Sequence, residues 1–274
     1  MEVETVLEND DFMIVNKPFD MYINSDDKTE KNTVTCHIAL SDSHLSTSSN
    51  PLHFVHRLDY ATSGILCIAK NKRAAAKAGK LFEKRKAKKY YLGIVRGHME
   101  NEVLDVQYPI GADKLTAHSS HRMCALTSAT SVSSVYEHRD AHTRVMLLET
   151  GYYDKDPVSV VVFKPITGRR HQLRVHANAV GHPILGDYTY SDAQDSAPHR
   201  MFLHARRLIL PMEENELDVQ TEEPFFTDPQ LLSKWKSERA FFKYKTKDDF
   251  AKVCDTVDKS YVLGAKYELY NCTT

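Results

Sequence analysis

The sequence predicts an α+β protein. Short apolar runs of strand length recur along the chain, one segment has clear helical periodicity, and a second, shorter helix is closed by a glycine. The runs are Phe12-Met13-Ile14-Val15, Ile65 to Ala69, Tyr90 to Val95, Val145-Met146-Leu147-Leu148, Val158 to Phe163, Phe202 to Ala205 and Leu208 to Leu210. With 274 residues, 42% hydrophobic and 27% charged, the chain is a globular protein long enough to bury a substantial core.

Phe12 to Val15 stops at Asn16-Lys17-Pro18, as a buried strand running into a turn does. Ser41 to Pro51 is polar and rich in turn formers and reads as a mobile loop. After the strand at Ile65 to Ala69 comes the best helix: Ala74, Ala78, Leu81 and Phe82 share one face, with Lys77, Lys80 and Lys84 on the others. The run Lys84-Arg85-Lys86-Ala87-Lys88-Lys89 reads as a solvated helix end, where cations are favoured, or as a track for phosphates.

Tyr90 to Val95 is the next strand, and Pro109 to Ser128 is irregular. Between the strands at Val145 and Val158, the segment Gly151 to Pro157 is expected to be an extra loop or hairpin excursion. Thr167-Gly168 then turns the chain into a short helix, Arg170 to Val180, with Gly181 as its C-terminal cap. Residues 5–230 are expected to form one domain. Residues 231–274 carry mixed charge and the aromatics Trp235, Phe241, Phe242 and Tyr244, and are expected to be a helical extension, packed on that domain or binding a partner.

The net charge is −1, so any contact with a polyanion must come from a local basic patch. Cys36, Cys67, Cys124, Cys254 and Cys272 are scattered, odd in number and without a C-x-x-C pair, which fits free thiols in a reducing compartment. No apolar run has membrane-spanning length, and Met1-Glu2-Val3-Glu4 lacks a signal core, so a cytoplasmic protein, with or without nuclear access, is expected. His53-x-x-His56, His118-x-x-His121 and His171-x-x-x-x-His176 are only loosely ligand-like, and no metal is expected. The sequence has no phosphate-binding glycine motif, so no nucleotide cofactor is expected either.

The stretch His56-Arg57-Leu58-Asp59-Tyr60-Ala61-Thr62-Ser63-Gly64 presents one carboxylate, Asp59, on a loop between two strands. Alone, Asp59 is either a reactive acid or the cap of its own turn. A second stretch, Thr167-Gly168-Arg169-Arg170-His171-Gln172-Leu173-Arg174-Val175-His176, runs on to Gly181-His182-Pro183-Ile184-Leu185-Gly186-Asp187. Together these resemble the RluA-type RNA pseudouridine synthases. Asn16-Lys17-Pro18, Lys89-Tyr90-Tyr91 and Leu203-His204-Ala205 fall in the family's order, and the lead-in Asp156 to Ser159 looks most like the eukaryotic RNA pseudouridine synthase domain-containing proteins.

The resemblance implies a catalytic domain with a mixed, largely antiparallel central sheet flanked by helices and loops, and an RNA partner, tRNA or rRNA foremost. It implies cofactor-free conversion of uridine to pseudouridine: the N-glycosidic bond breaks, the uracil turns, and C5 takes over the bond to the sugar. Asp59 matches the catalytic aspartate, as nucleophile at C1′ or as base at C2′. Arg174 matches the arginine that keeps that acid charged, Tyr91 the tyrosine stacked on the base, Leu203 the apolar residue closing its other side, and Arg57 the side chain that fills the stack when the uridine leaves it. His56, Arg169, Lys88 and Lys89 complete the expected substrate contacts. Tyr60-Ala61 departs from the charged pair common after the aspartate. From another class, the alternative is an RNA-binding or RNA-remodelling protein on the same scaffold; a metal-dependent hydrolase lacks a ligand set.

Overall fold

A computed structural model gives the fold, and describes residues 2–41, 52–114, 116, 122–130, 132–212, 216–259 and 266–272. The stretch 42–51, most of the polar segment expected to be a mobile loop, lies outside the described residues, as does His118-x-x-His121. In chain order the strands are β1 (Glu4–Glu8), β2 (Phe12–Lys17), β3 (His53–Phe54), β4 (Ser63–Ala69), β5 (Lys88–Arg96), β6 (Val103–Val106), β7 (Ile110–Asp113), β8 (Met123–Ala125), β9 (Val135–Arg139), β10 (Thr143–Tyr153), β11 (Asp156–Pro165), β12 (Leu203–Leu210), β13 (Leu217–Gln220), β14 (Trp235–Ala240) and β15 (Tyr267–Tyr270). The helices are α1 (Val34–Ser41), α2 (Lys72–Glu83), α3 (Gln172–Ala179), α4 (Pro229–Leu232) and α5 (Lys247–Val257). The chain gathers into two compact units, Met1–Lys89 with Leu203–Thr221, and Tyr90–Phe202 with Glu222–Thr274.

In the first unit, β2 pairs antiparallel with β1 and β4, β3 antiparallel with β4, and β12 antiparallel with β13, while β4 and β12 run parallel. Every residue of β4 is buried, which explains its unbroken apolar run in place of alternation. Ile65, Cys67 and Ala69 face the same core as Phe12, Ile14, Leu208 and Leu210, and Ala74 and Ala78 of α2 close it. The helix starts where Asn71 Oδ1 accepts from the Ala74 amide at 2.9 Å, an N-cap bond. It ends with Arg85 in a left-handed conformation (φ 56°), the Lys86 amide bonding to Leu81 O at 2.8 Å and the Arg85 amide to Phe82 O at 3.1 Å. That stop separates the basic run from the helix. Phe202 to Ala205 and Leu208 to Leu210, read as separate pieces, belong largely to one strand, β12, because Arg206 between them is fully buried too.

In the second unit, β10 is flanked by β11, β6 and β14, all antiparallel; β5 pairs antiparallel with β11 and β15 parallel with β6. Gly151 to Pro157, expected to be an extra loop or a hairpin excursion, is the tip of the long β10–β11 hairpin. Asp154 and Lys155 both take left-handed conformations (φ 50° and 74°), as a two-residue hairpin turn matched to strand twist requires. The stretch from Pro109 to Ser128, expected to be irregular, contributes β7 and β8 to a small antiparallel sheet in the order β8-β7-β9. The short helix forms as α3, and Gly181 follows it with φ 82°. The C-terminal extension is not only helical: it holds β14, α5 and β15, and belongs to the second unit. Phe250, Val253, Cys254 and Val257 give α5 one buried face. The architecture is therefore α+β with mixed, largely antiparallel pairing.

Candidate active site

His56, Arg57, Asp59, Lys88, Lys89 and Leu203 lie in the first unit, and Tyr91, Arg169 and Arg174 in the second. In the first unit, Asp59 lies half-buried on the loop between β3 and β4, with exposed Arg57 two residues before it. The turn is closed through the backbone, the Thr62 amide donating to Asp59 O at 3.2 Å. Three fastenings hold the loop. Fully buried Lys17 donates from Nζ to the carbonyls of Tyr60 (3.0 Å), Met21 (2.8 Å) and Pro18 (2.9 Å). The Cys67 amide of β4 donates to His56 Nε2 at 2.8 Å, and the His56 ring stacks on Phe82 of α2 at 5.0 Å. Beyond the turn, Ser63 Oγ meets His204 Nδ1 at 2.7 Å, and His204 Nε2 meets Thr221 Oγ1 at 2.7 Å.

Gly64 is needed where the loop enters β4: its φ is 110°, and a Cβ there would lie 2.3 Å from Ala205 O. Burial, with a lesser push from the Lys89 ammonium, lowers the His56 pKa to about 3, so His56 is neutral and Nε2 can accept. His56, expected to touch substrate, thus spends that nitrogen on the β4 backbone. Burial also lowers the Lys89 pKa to about 8, while Lys88 beside it is exposed. Leu203 opens β12 and is buried. Tyr60 is exposed and packs against Tyr22 with ring centroids 4.5 Å apart.

In the second unit, alternation along β5 separates the two tyrosines as expected. Tyr90 turns to the C-terminal segment, its hydroxyl donating to Asp258 at 3.0 Å, with Lys164 Nζ 2.5 Å from the same carboxylate. Tyr91 is buried in register with Phe163 of β11. Arg174, buried on α3, forks onto buried Asp187: Nε donates to Oδ2 at 2.7 Å and Nη2 to Oδ1 at 2.9 Å. The Tyr190 ring lies 5.0 Å from the guanidinium, and the Tyr190 hydroxyl is 2.9 Å from His171 Nδ1.

The helix bearing Arg174 is anchored by a fully used amide. Gln172 Oε1 accepts from Thr167 Oγ1 (2.6 Å) and the Arg169 amide (2.9 Å), and its Nε2 donates to His142 O and Thr143 Oγ1, both at 2.9 Å. His176, fully buried, meets Thr143 Oγ1 at 2.9 Å and Tyr108 O at 2.8 Å, and burial lowers its pKa to about 4. Arg169 is half-buried, its Nε donating to Asp140 O at 2.9 Å. Sequence reasoning missed Lys17 as the side chain that holds the Asp59 loop and Asp187 as the one that holds Arg174. Each belongs to a family motif, but a lysine beside a proline and an aspartate after a glycine carry no sign of their partners.

A sequence profile of RNA pseudouridylate synthases matches residues 11–179, spanning both the Asp59 stretch and the Arg174 stretch. RNA pseudouridylate synthase domain-containing protein 1 of Mus musculus is 40% identical over 237 residues, which are 84% of this chain and 74% of the mouse protein. The dual-specificity RNA pseudouridine synthase RluA of Escherichia coli is 39% identical over 158 residues, 57% of this chain and 65% of that protein. The solved structure of human RNA pseudouridylate synthase domain containing 1 superposes with a TM-score of 0.77 at 31% identity, covering 94% of this chain and 96% of that one.

The fold and its motifs thus define an RNA-modifying enzyme class. This chain belongs to the RNA pseudouridylate synthase family, of the RluA type, whose substrates are RNA.

Proposed function

We propose that the protein isomerises specific uridines of tRNA or rRNA to pseudouridine, with Asp59 as the catalytic carboxylate. The observation that carries this is the fastening of the Asp59 loop by Lys17 and His56, since a carboxylate held in advance costs little to position during reaction. The N1–C1′ bond breaks, the freed uracil turns, C5 bonds to C1′, and C5 gives up its proton while N1 gains one. No electrons are exchanged with an outside partner, so side chains suffice. Asp59 attacks C1′ or takes the C2′ proton.

Arg174 is the guanidinium that serves this carboxylate, and the Asp187 fork restricts how it can turn. Tyr91 stacks on the base and assists loss of the C5 proton, and Leu203 closes the base's other side. Arg57, exposed, enters the RNA stack when the uridine leaves it. Lys88, Lys89 and Arg169 meet the RNA backbone, and His56 acts by positioning the loop.

The test is tritium release from RNA labelled at uridine C5. The wild type should release tritium, and Asp59→Ala should lose release while still binding RNA. Wild-type binding without release would favour an RNA-holding or RNA-remodelling role over catalysis.

A further inference from the structure

The small sheet of the second unit carries a cleft of which the reading above uses only Arg169. Its volume is about 420 Å³, and Arg139, Arg169 and Arg170 stand at it together with one carboxylate, Glu137. Ile110, Ala112 and Met123 supply apolar lining, and Tyr136 an aromatic ring.

A β-bulge brings these groups to one face. β7 pairs Ile110 with Arg139 and Ala112 with Tyr136, so Glu137 and His138 of β9 oppose Gly111 alone. Side chains of paired residues share a face, and Ile110 and Ala112, two apart, share theirs. Tyr136 and Arg139, three apart on β9, would otherwise point to opposite faces. Glu137 takes φ 45° to make the bulge, and a Cβ on Gly111 would meet Tyr136 O at 2.2 Å. Met123 of β8 pairs with Ala112 and joins the same face.

Arg169 and Arg170 come from the loop before α3, and Arg169 is oriented by its bond to Asp140 O. The cleft volume falls within the roughly 300–1,000 Å³ of small-ligand sites. Guanidinium forks match phosphate oxygens, and an apolar floor suits a ribose or base. In a chain of net charge −1, three arginines against one carboxylate concentrate positive charge here.

We propose that this cleft binds a nucleotide of the RNA other than the one isomerised, its phosphate on Arg139, Arg169 and Arg170 and its ribose or base on Ile110, Ala112 and Met123. The proposal rests on RNA being the substrate and deepens the reading above.

The test measures binding of a fluorescein-labelled single-stranded RNA by anisotropy over a salt series. Relative to wild type, the double variant Arg139→Gln/Arg170→Gln should bind about 10-fold more weakly, and its log K against log salt slope should be shallower by about 0.7, the value for one phosphate no longer neutralised. Arg139→Lys/Arg170→Lys should keep the slope. Arg73→Gln, an exposed charge on α2 of the first unit, should leave it unchanged. An unchanged slope in the glutamine pair overturns the proposal. So does an equal fall in the lysine pair, which would trace the loss to folding, or in Arg73→Gln, which would trace it to charge in general. Because the readout is equilibrium binding, it stands or falls separately from tritium release.

Discussion

Replacing Lys17 with methionine should loosen the Asp59 loop and destabilise the protein together. The Lys17 ammonium is fully buried and donates to three carbonyls. In Lys17→Met the Tyr60 carbonyl keeps the Met21 amide at 3.2 Å, but the Pro18 and Met21 carbonyls lose the ammonium. At about 1–3 kcal/mol for each buried group left unsatisfied, the gross cost is roughly 2–6 kcal/mol. Relief from burying a charge returns part of it, so a net loss of about 3 kcal/mol is expected. For a chain of this size that lowers Tm by about 6–12 °C.

The assay is thermal unfolding by circular dichroism together with hydrogen exchange. The amides of Met21 and Thr62, bonded to Tyr60 O and Asp59 O, should lose protection first. On the role proposed for Asp59, turnover should fall about 100-fold, the usual consequence of misplacing a catalytic group by about 1 Å. A Tm within about 2 °C of wild type would refute the reasoning, because it would mean the ammonium carries no net weight in the fold. So would a fall in Tm with both amides as protected as before.

Three further outcomes follow from the same geometry. Asp187→Asn removes the buried carboxylate onto which Arg174 forks and should cost about 3–5 kcal/mol in urea unfolding, along with most of the tritium release. His176 titrates near 4 in the folded protein and near 6.5 when unfolded; as pH falls below about 6.5 the unfolded chain takes up a proton that the fold refuses, so stability drops by up to about 1.4 kcal/mol per pH unit until about pH 4. Urea midpoints should therefore fall less steeply with acid in His176→Gln than in wild type, and parallel curves would count against it. Lys89, with its pKa lowered to about 8, should lose its share of RNA affinity as pH rises through that value, whereas Lys89→Arg should hold its affinity; equal pH dependence in the two would exclude Lys89 from the interface.

Amino-acid order alone was enough wherever neighbouring residues decide the outcome among themselves. The buried run of β4, the face of α2 built on Ala74 and Ala78, the glycine stop after α3 and the opposed directions of Tyr90 and Tyr91 all follow from local periodicity and cap chemistry. The two long motifs named the family because their residue types are set by one reaction.

Other features exist only in the folded chain. β14 is almost wholly exposed and has no apolar period; it is a strand because β10 offers a hydrogen-bonding edge, with Glu149 opposite Ala240. β15 is held beside β6 by pairing and by the Tyr267 hydroxyl, which donates to buried Asp105 at 2.9 Å. Nothing beside Lys17 in the sequence announces the three carbonyls that converge on it. Arg139 and Tyr136 share a face only because β9 carries one residue more than β7 can match. In each case the partner is supplied by another segment or by a turn of the backbone, and a hydrogen bond or a pairing register exists only once folding has brought the two together.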